Sequence, residues 1–177
     1  QIFGLDLERR VVKTINFGML YGMGTGTLAE RLATDYEEAK KLKAAQKAAL
    51  PGVADLEKSI KLTGKAGDPI HTWGGRLYYA EPPKIINNKL RDFSYKLLNY
   101  LIQGSAADCT KQAIINYAHM RKHGRFLVTV HDENNVSAPK GAEKEEAAIL
   151  REAMAAVAFD IQMLSDCKMG PNWGSLK

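Results

Sequence analysis

Apolar residues recur at three- and four-residue spacings through the first half of the chain, and beyond it they also gather in short blocks bounded by glycine, asparagine or proline. That mixture of periods predicts a helix-rich α+β protein. The first periodic run, DLERRVVKTINFGMLYG, aligns Val11, Val12, Ile15 and Met19 on one stripe, so a helix is expected over about residues 6–22 with Asp6 as its N-cap. The glycines of the following MGTGT are expected to form a flexible connector. They do not match a dinucleotide fingerprint, because no strand precedes them and the spacing differs. TDYEEAKKLKAAQKAAL and GVADLEKSIKLTG predict two further helices with solvated charged faces, separated at Pro51-Gly52.

Farther along, HTWGGRLYYAEPP predicts a short hairpin around Gly74-Gly75. From Lys89 the pattern KLRDFSYKLLNYLIQGSAADCTKQAIINYAHMRKHG is expected to be one long helical stretch, with Leu98, Leu101, Ile102, Ala106, Cys109 and Ala113 spaced for packing. RFLVTVHDENNVSAP is apolar and β-branched around a short polar centre, the pattern of strand, tight turn and strand. A closing helix should carry Leu150, Met154, Val157, Ile161 and Leu164 on one face. The expected organisation is a helical part over 1–85, then a small antiparallel sheet flanked by helices over 86–177.

Composition narrows the function classes. The 177 residues, 45% hydrophobic and 25% charged, suit an ordinary globular chain able to bury a core. The net charge of +5 favours a polyanionic partner, though only weakly. Cys109 and Cys167 have neither the number nor the spacing of a disulfide framework or zinc site, which points to a reducing compartment such as the cytoplasm and to packing roles for both. No apolar run is long enough for a membrane span, so no membrane partner is expected. The start QIFGLDLERR has neither an initiator Met nor a signal-peptide pattern and reads as the interior of a longer protein.

Candidate chemistry lies on the other face of the first helix, where Arg9, Lys13, Phe17 and Tyr21 recur every four residues. Together with Arg10, the two cations stand near a helix N-terminus, whose positive partial charge makes cations unfavourable by about 0.3 kcal/mol or more each unless an anion docks. Cations followed by two rings fit a ligand with phosphates at one end and a flat base at the other, as in a nucleoside triphosphate. A solvated basic end with two aromatics packed on a neighbour would leave the same pattern. A second candidate is VHDE, His131 to Glu133, at a strand-to-turn junction. Asp132 and Glu133 offer the hard oxygens that Mg²⁺ prefers, and His131 is better suited to hydrogen-bonding a base or sugar.

At these residues the chain resembles the family A DNA polymerases, the bacterial DNA polymerase I and phage replicative type. RRVVKTINFGMLYG is similar to their motif B and VTVHDE to their motif C; NYLIQGSAAD resembles the intervening Asn-x-x-x-Gln-Gly segment, and MGPNWGSLK the Trp-containing tail. The resemblance implies a fingers subdomain over 1–85 and a distal palm over 86–177. It implies that Arg9 and Lys13 hold the incoming dNTP, with Lys13 a candidate acid for the pyrophosphate leaving group. Phe17 would lie under the sugar and base, and Tyr21 at the template side. Asp132 and Glu133 would be metal carboxylates, and Gln103, His131, Arg10 and Asn99 would contact primer–template DNA. The implied reaction is attack of a primer 3′ hydroxyl on the α-phosphate, with two Mg²⁺ ions as cofactors.

The chain departs from the family pattern at Leu101, where proline is frequent, and at Asn134 and Asn135, where apolar residues are usual. No segment resembles motif A, which supplies the other metal carboxylate, so the chain by itself is expected to be inactive without the rest of the polymerase. Two alternatives follow. A single-subunit RNA polymerase shares the Lys-to-Tyr-Gly helix, but a Ser is expected where this chain has Glu133. A catalytically incomplete fragment that binds DNA and nucleotide is the other.

Overall fold

The computed structural model describes residues 8–159 and 161–176, and all of their side chains except Arg10 and Met19. The N-cap expected at Asp6 lies outside the described residues. Helix-rich α+β architecture is what the chain adopts, in two compact units, 1–103 and 104–177.

In the first unit, α1 (Arg9–Leu20), α2 (Thr25–Leu32) and α3 (Tyr36–Ala49) close around buried Ile15, Leu28, Ala29, Ala39 and Leu42. The Asp35 carboxylate accepts from the Glu38 N–H at 2.7 Å and caps α3. Helix α4 (Pro51–Ala66) begins with proline at a position whose N–H would have no partner anyway. A second core, Ile60, Ile70, Leu97 and Leu98, joins α4 to the short hairpin β1 (Ile70–His71) and β2 (Leu77–Tyr78) and to the start of α5 (Leu97–Met120). That hairpin turns at Gly74-Gly75, as expected from sequence.

The second unit takes up α5 from Gly104 and continues through the antiparallel pair β5 (Arg125–Val130) and β6 (Glu133–Ser137) to α6 (Glu143–Ala155). Cys109 and Ala113 pack with Met154 and Val157, while Tyr117, Leu150 and Ala153 pack with Phe126 and Val136. Glu146 is buried here with a full set of donors: Tyr117 OH at 2.8 Å, Lys122 N at 3.0 Å and His123 N at 2.6 Å. Burial would raise its pKa; the N–H and O–H donors outweigh that and hold it down at about 2.

Four expectations are corrected. MGTGT is not a free connector: Gly24 is extended at the N-cap position and α2 starts at Thr25, because Leu28 and Ala29 gain burial in the helix. The stretch from Lys89 is not helical at its start. It forms β4 (Lys89–Arg91), paired with β3 (Lys84–Ile86), and then a 3-10 turn at Ser94–Lys96. Two local features favour this: Asn87 and Asn88 take the left-handed conformation (φ 51° and 57°) of a tight hairpin turn, and the Asp92 carboxylate binds Ser94 N and Oγ at 2.9 and 2.6 Å. Helix α6 ends at Ala155, leaving Ile161 and Leu164 exposed, since Val157 is the last residue of that stripe with a core to enter. Cys167 is exposed, so only Cys109 is a packing cysteine. Among the described residues no helix is long and apolar enough to cross a membrane.

Candidate functional site

Helix α1 buries Val12 and Ile15 and turns Arg9, Lys13 and Phe17 to solvent. No acidic residue lies in its first turn, and Glu8, whose carbonyl accepts from Val12 N, immediately precedes it. The Lys13 ammonium sits 5.7 Å from the Phe17 ring centroid, and Phe17 lies 5.8 Å from Tyr21 at an interplanar angle of 35°. Phe17 is 42% and Tyr21 44% exposed, so neither ring is consumed by packing on a neighbouring helix. The cation–aromatic edge is therefore available to a ligand.

The far end of this edge is fixed by α5: Gln103 Nε2 donates to the Tyr21 hydroxyl at 2.8 Å. Gly22 follows in a left-handed conformation (φ 71°), and a Cβ there would stand 2.6 Å from the Tyr95 ring, so glycine is required. Asn99, one turn before Gln103, is half-buried, and its Oδ1 is buried with no partner. The Arg10 side chain lies outside the described residues.

The second candidate group sits in the second unit. β5 and β6 pair Val130 with Glu133, so His131 and Asp132 form a two-residue loop. His131 has φ 56°, in the left-handed region that such loops usually give to glycine. His131, Asp132 and Glu133 are all exposed. Glu133 is oriented by two donors to its Oε1, Asn135 Nδ2 and Trp173 Nε1, each at 2.9 Å. Sequence reasoning gave neither Asn135 nor Trp173 a role; the only signal was the match of the Trp-containing tail. β6 forms in spite of its asparagines, at a cost: both amide atoms of Asn134 are buried without partners.

The donor set suits a hard divalent cation but is partial. Asp132 and the second oxygen of Glu133 are carboxylate oxygens of the right kind, and no three or more His, Cys, Asp or Glu are arranged so as to hold a metal ion among the described residues.

Comparison with known proteins supplies the frame for these groups. The profile described as DNA polymerase family A matches residues 5–175. A thermostable DNA polymerase I of Thermus caldophilus is 35% identical over 176 residues, covering 97% of this chain and 21% of that protein. The DNA polymerase I of Chloroflexus aurantiacus is 30% identical over 175 residues, covering 96% and 19%. The chain thus spans about a fifth of the length of these curated relatives. Among solved structures, the POL domain of Pol1 from M. smegmatis, in complex with DNA primer-template and dNTP, aligns with TM-score 0.71 at 31% identity, over 85% of this chain and 27% of that one. A helix edge of cations and rings and a His-Asp-Glu hairpin, within a match that spans nearly the whole chain, lead to one assignment: the chain belongs to DNA polymerase family A.

Proposed function

We propose that this chain supplies the nucleotide-binding helix and the hairpin carboxylates of a DNA-directed DNA polymerase, which adds dNTPs to a primer 3′ end in replication or repair. Residues 1–85 serve as fingers and 86–177 as distal palm, in a soluble protein of the bacterial or phage-infected cytoplasm. The reading rests above all on the solvent-facing run Lys13, Phe17 and Tyr21, whose order matches phosphate, sugar and base. The relatives' names and the neighbour solved with primer-template and dNTP support it.

In this role Arg9 and Lys13 neutralise the triphosphate, and Lys13 is placed to give a proton to the departing pyrophosphate. Phe17 offers a flat apolar surface beneath the incoming sugar and base, and Tyr21 marks the template side. Gln103, Asn99, Arg10 and His131 contact DNA; donors in the minor groove test pair shape without selecting sequence. Asp132 and Glu133 hold Mg²⁺ together with a carboxylate from the rest of the polymerase chain. Bound there, Mg²⁺ offsets phosphate charge and activates the primer hydroxyl. Because the donor set here is partial, the 177 residues alone bind rather than turn over.

Asp132→Asn in the full polymerase tests this. The single-turnover rate should fall by about 10³-fold or more, several kcal/mol of lost charge stabilisation. Primer–template affinity should hold, since phosphate contacts elsewhere dominate it. An unchanged rate would overturn the assignment.

A further inference from the structure

The hairpin of β3 and β4 has no role in the site described above. All six of its strand residues are exposed, with Ile85 76% and Leu90 73% accessible. A lone two-stranded ribbon is marginal in water. Its register pairs Lys84 with Arg91, Ile85 with Leu90 and Ile86 with Lys89. Since side chains alternate across a strand, Lys84, Arg91, Lys89 and Ile86 share one face while Ile85 and Leu90 take the other. Lys84 and Arg91 therefore stand directly opposite one another as like charges, an arrangement that destabilises a pair of strands.

No acid within the hairpin offsets this. Of the two flanking acids, Glu81 is near enough for its charge to be felt by Lys84, and both are engaged at the base of the ribbon. Glu81 accepts from Lys96 Nζ at 2.6 Å and Tyr100 OH at 2.9 Å, and Asp92 accepts from Ser94 N and Oγ. The Glu81 bonds hold the chain just before the ribbon, the Asp92–Ser94 bonds close a local turn just after it, and the tight Asn87-Asn88 turn stiffens its tip. The result is an anchored arm with three cations on one face.

We propose that this face binds the phosphate backbone of duplex DNA, an inference that rests on the polymerase reading. Three clustered cations call for a polyanion. The ribbon has no aromatic residue on which unpaired bases could stack, which favours duplex over single strand. Contact with phosphates alone carries no sequence preference, as template copying requires.

The test is primer–template binding by the full polymerase at several salt concentrations, comparing wild type with Lys84→Gln/Lys89→Gln/Arg91→Gln. Each phosphate contact contributes about 0.9 to the slope of log K against log salt, so the triple variant should flatten the slope by about 2–3 and weaken duplex binding at least tenfold at 0.1 M salt. The single charge reversal Lys89→Glu should weaken binding in the same direction. An unchanged slope overturns the proposal. So does a loss confined to a single-stranded oligonucleotide, and so does a lowered melting temperature with the slope intact, which would show that another part of the polymerase covers this face. Failure of the polymerase reading is distinct: it appears as undiminished turnover in Asp132→Asn, whatever the salt slope.

Discussion

Glu146 offers the sharpest energetic test. Its Oε1 accepts from the Lys122 and His123 N–H groups and its Oε2 from Tyr117 OH, all in a buried setting at the turn between α5 and β5. Glu146→Gln keeps the shape but removes the charge and turns an NH₂ toward donors. Three charge-assisted bonds weaken to neutral or opposed ones, a loss of about 2–3 kcal/mol. The folded pKa of about 2 lies below the ordinary 4.5, so the ionised carboxylate stabilises the fold above pH 4.5, and that stabilisation drains away as pH falls from 4.5 toward 2. The assay is amide exchange at Lys122 and His123 in the polymerase, wild type and variant compared at the same pH because intrinsic exchange also varies with pH. At pH 7 the variant's turn amides should open about 30- to 150-fold more often, equivalent to those 2–3 kcal/mol, and the gap should narrow toward pH 2. A gap that is equally large at pH 7 and pH 2 would refute the charge-based account.

Phe17→Tyr places a hydroxyl on a ring that is 42% exposed, so no buried unpaired group results. Dideoxynucleotide use relative to deoxynucleotide use should rise by orders of magnitude in competitive incorporation, with the melting temperature unchanged; an unaltered ratio removes Phe17 from the sugar site. His131→Gly relieves a left-handed φ of 56° and should stabilise the hairpin by about 1 kcal/mol while slowing extension. Thermal melting and single-turnover kinetics check the two effects, and a variant no more stable than wild type would show that the turn is unstrained.

The most legible parts of this chain were those where one residue period ran long enough to determine a face. Val11, Val12 and Ile15 of the α1 stripe, the two Ala- and Lys-rich helices and the β5–β6 hairpin were all read correctly, because burial and period agree there. The β3–β4 hairpin was missed because each of its strands is only three residues long, too short for a period of two to stand out, and its turn depends on two left-handed asparagines. The end of α6 was misplaced for the opposite reason: the apolar period continues to Leu164, although Ile161 and Leu164 are exposed. The resemblance to two family motifs singles out Lys13, Phe17 and Asp132 as candidate site residues. The contacts that hold their neighbours, Gln103 on Tyr21 and Trp173 on Glu133, join residues 82 and 40 positions apart and leave no local trace.

The bond from Trp173 to Glu133 gives the molecule an optical handle. Of the two tryptophans in the chain, Trp173 has its indole N–H on the hairpin carboxylate, and the other, Trp73, lies in the first unit. Indole emission responds to the charge and hydrogen bonding of its nearest neighbours, so a cation that draws Glu133 away changes the light that Trp173 emits. The hairpin thus carries its own fluorophore: with Trp73 replaced by phenylalanine, the emission of this chain reports on the surroundings of Glu133 without any label.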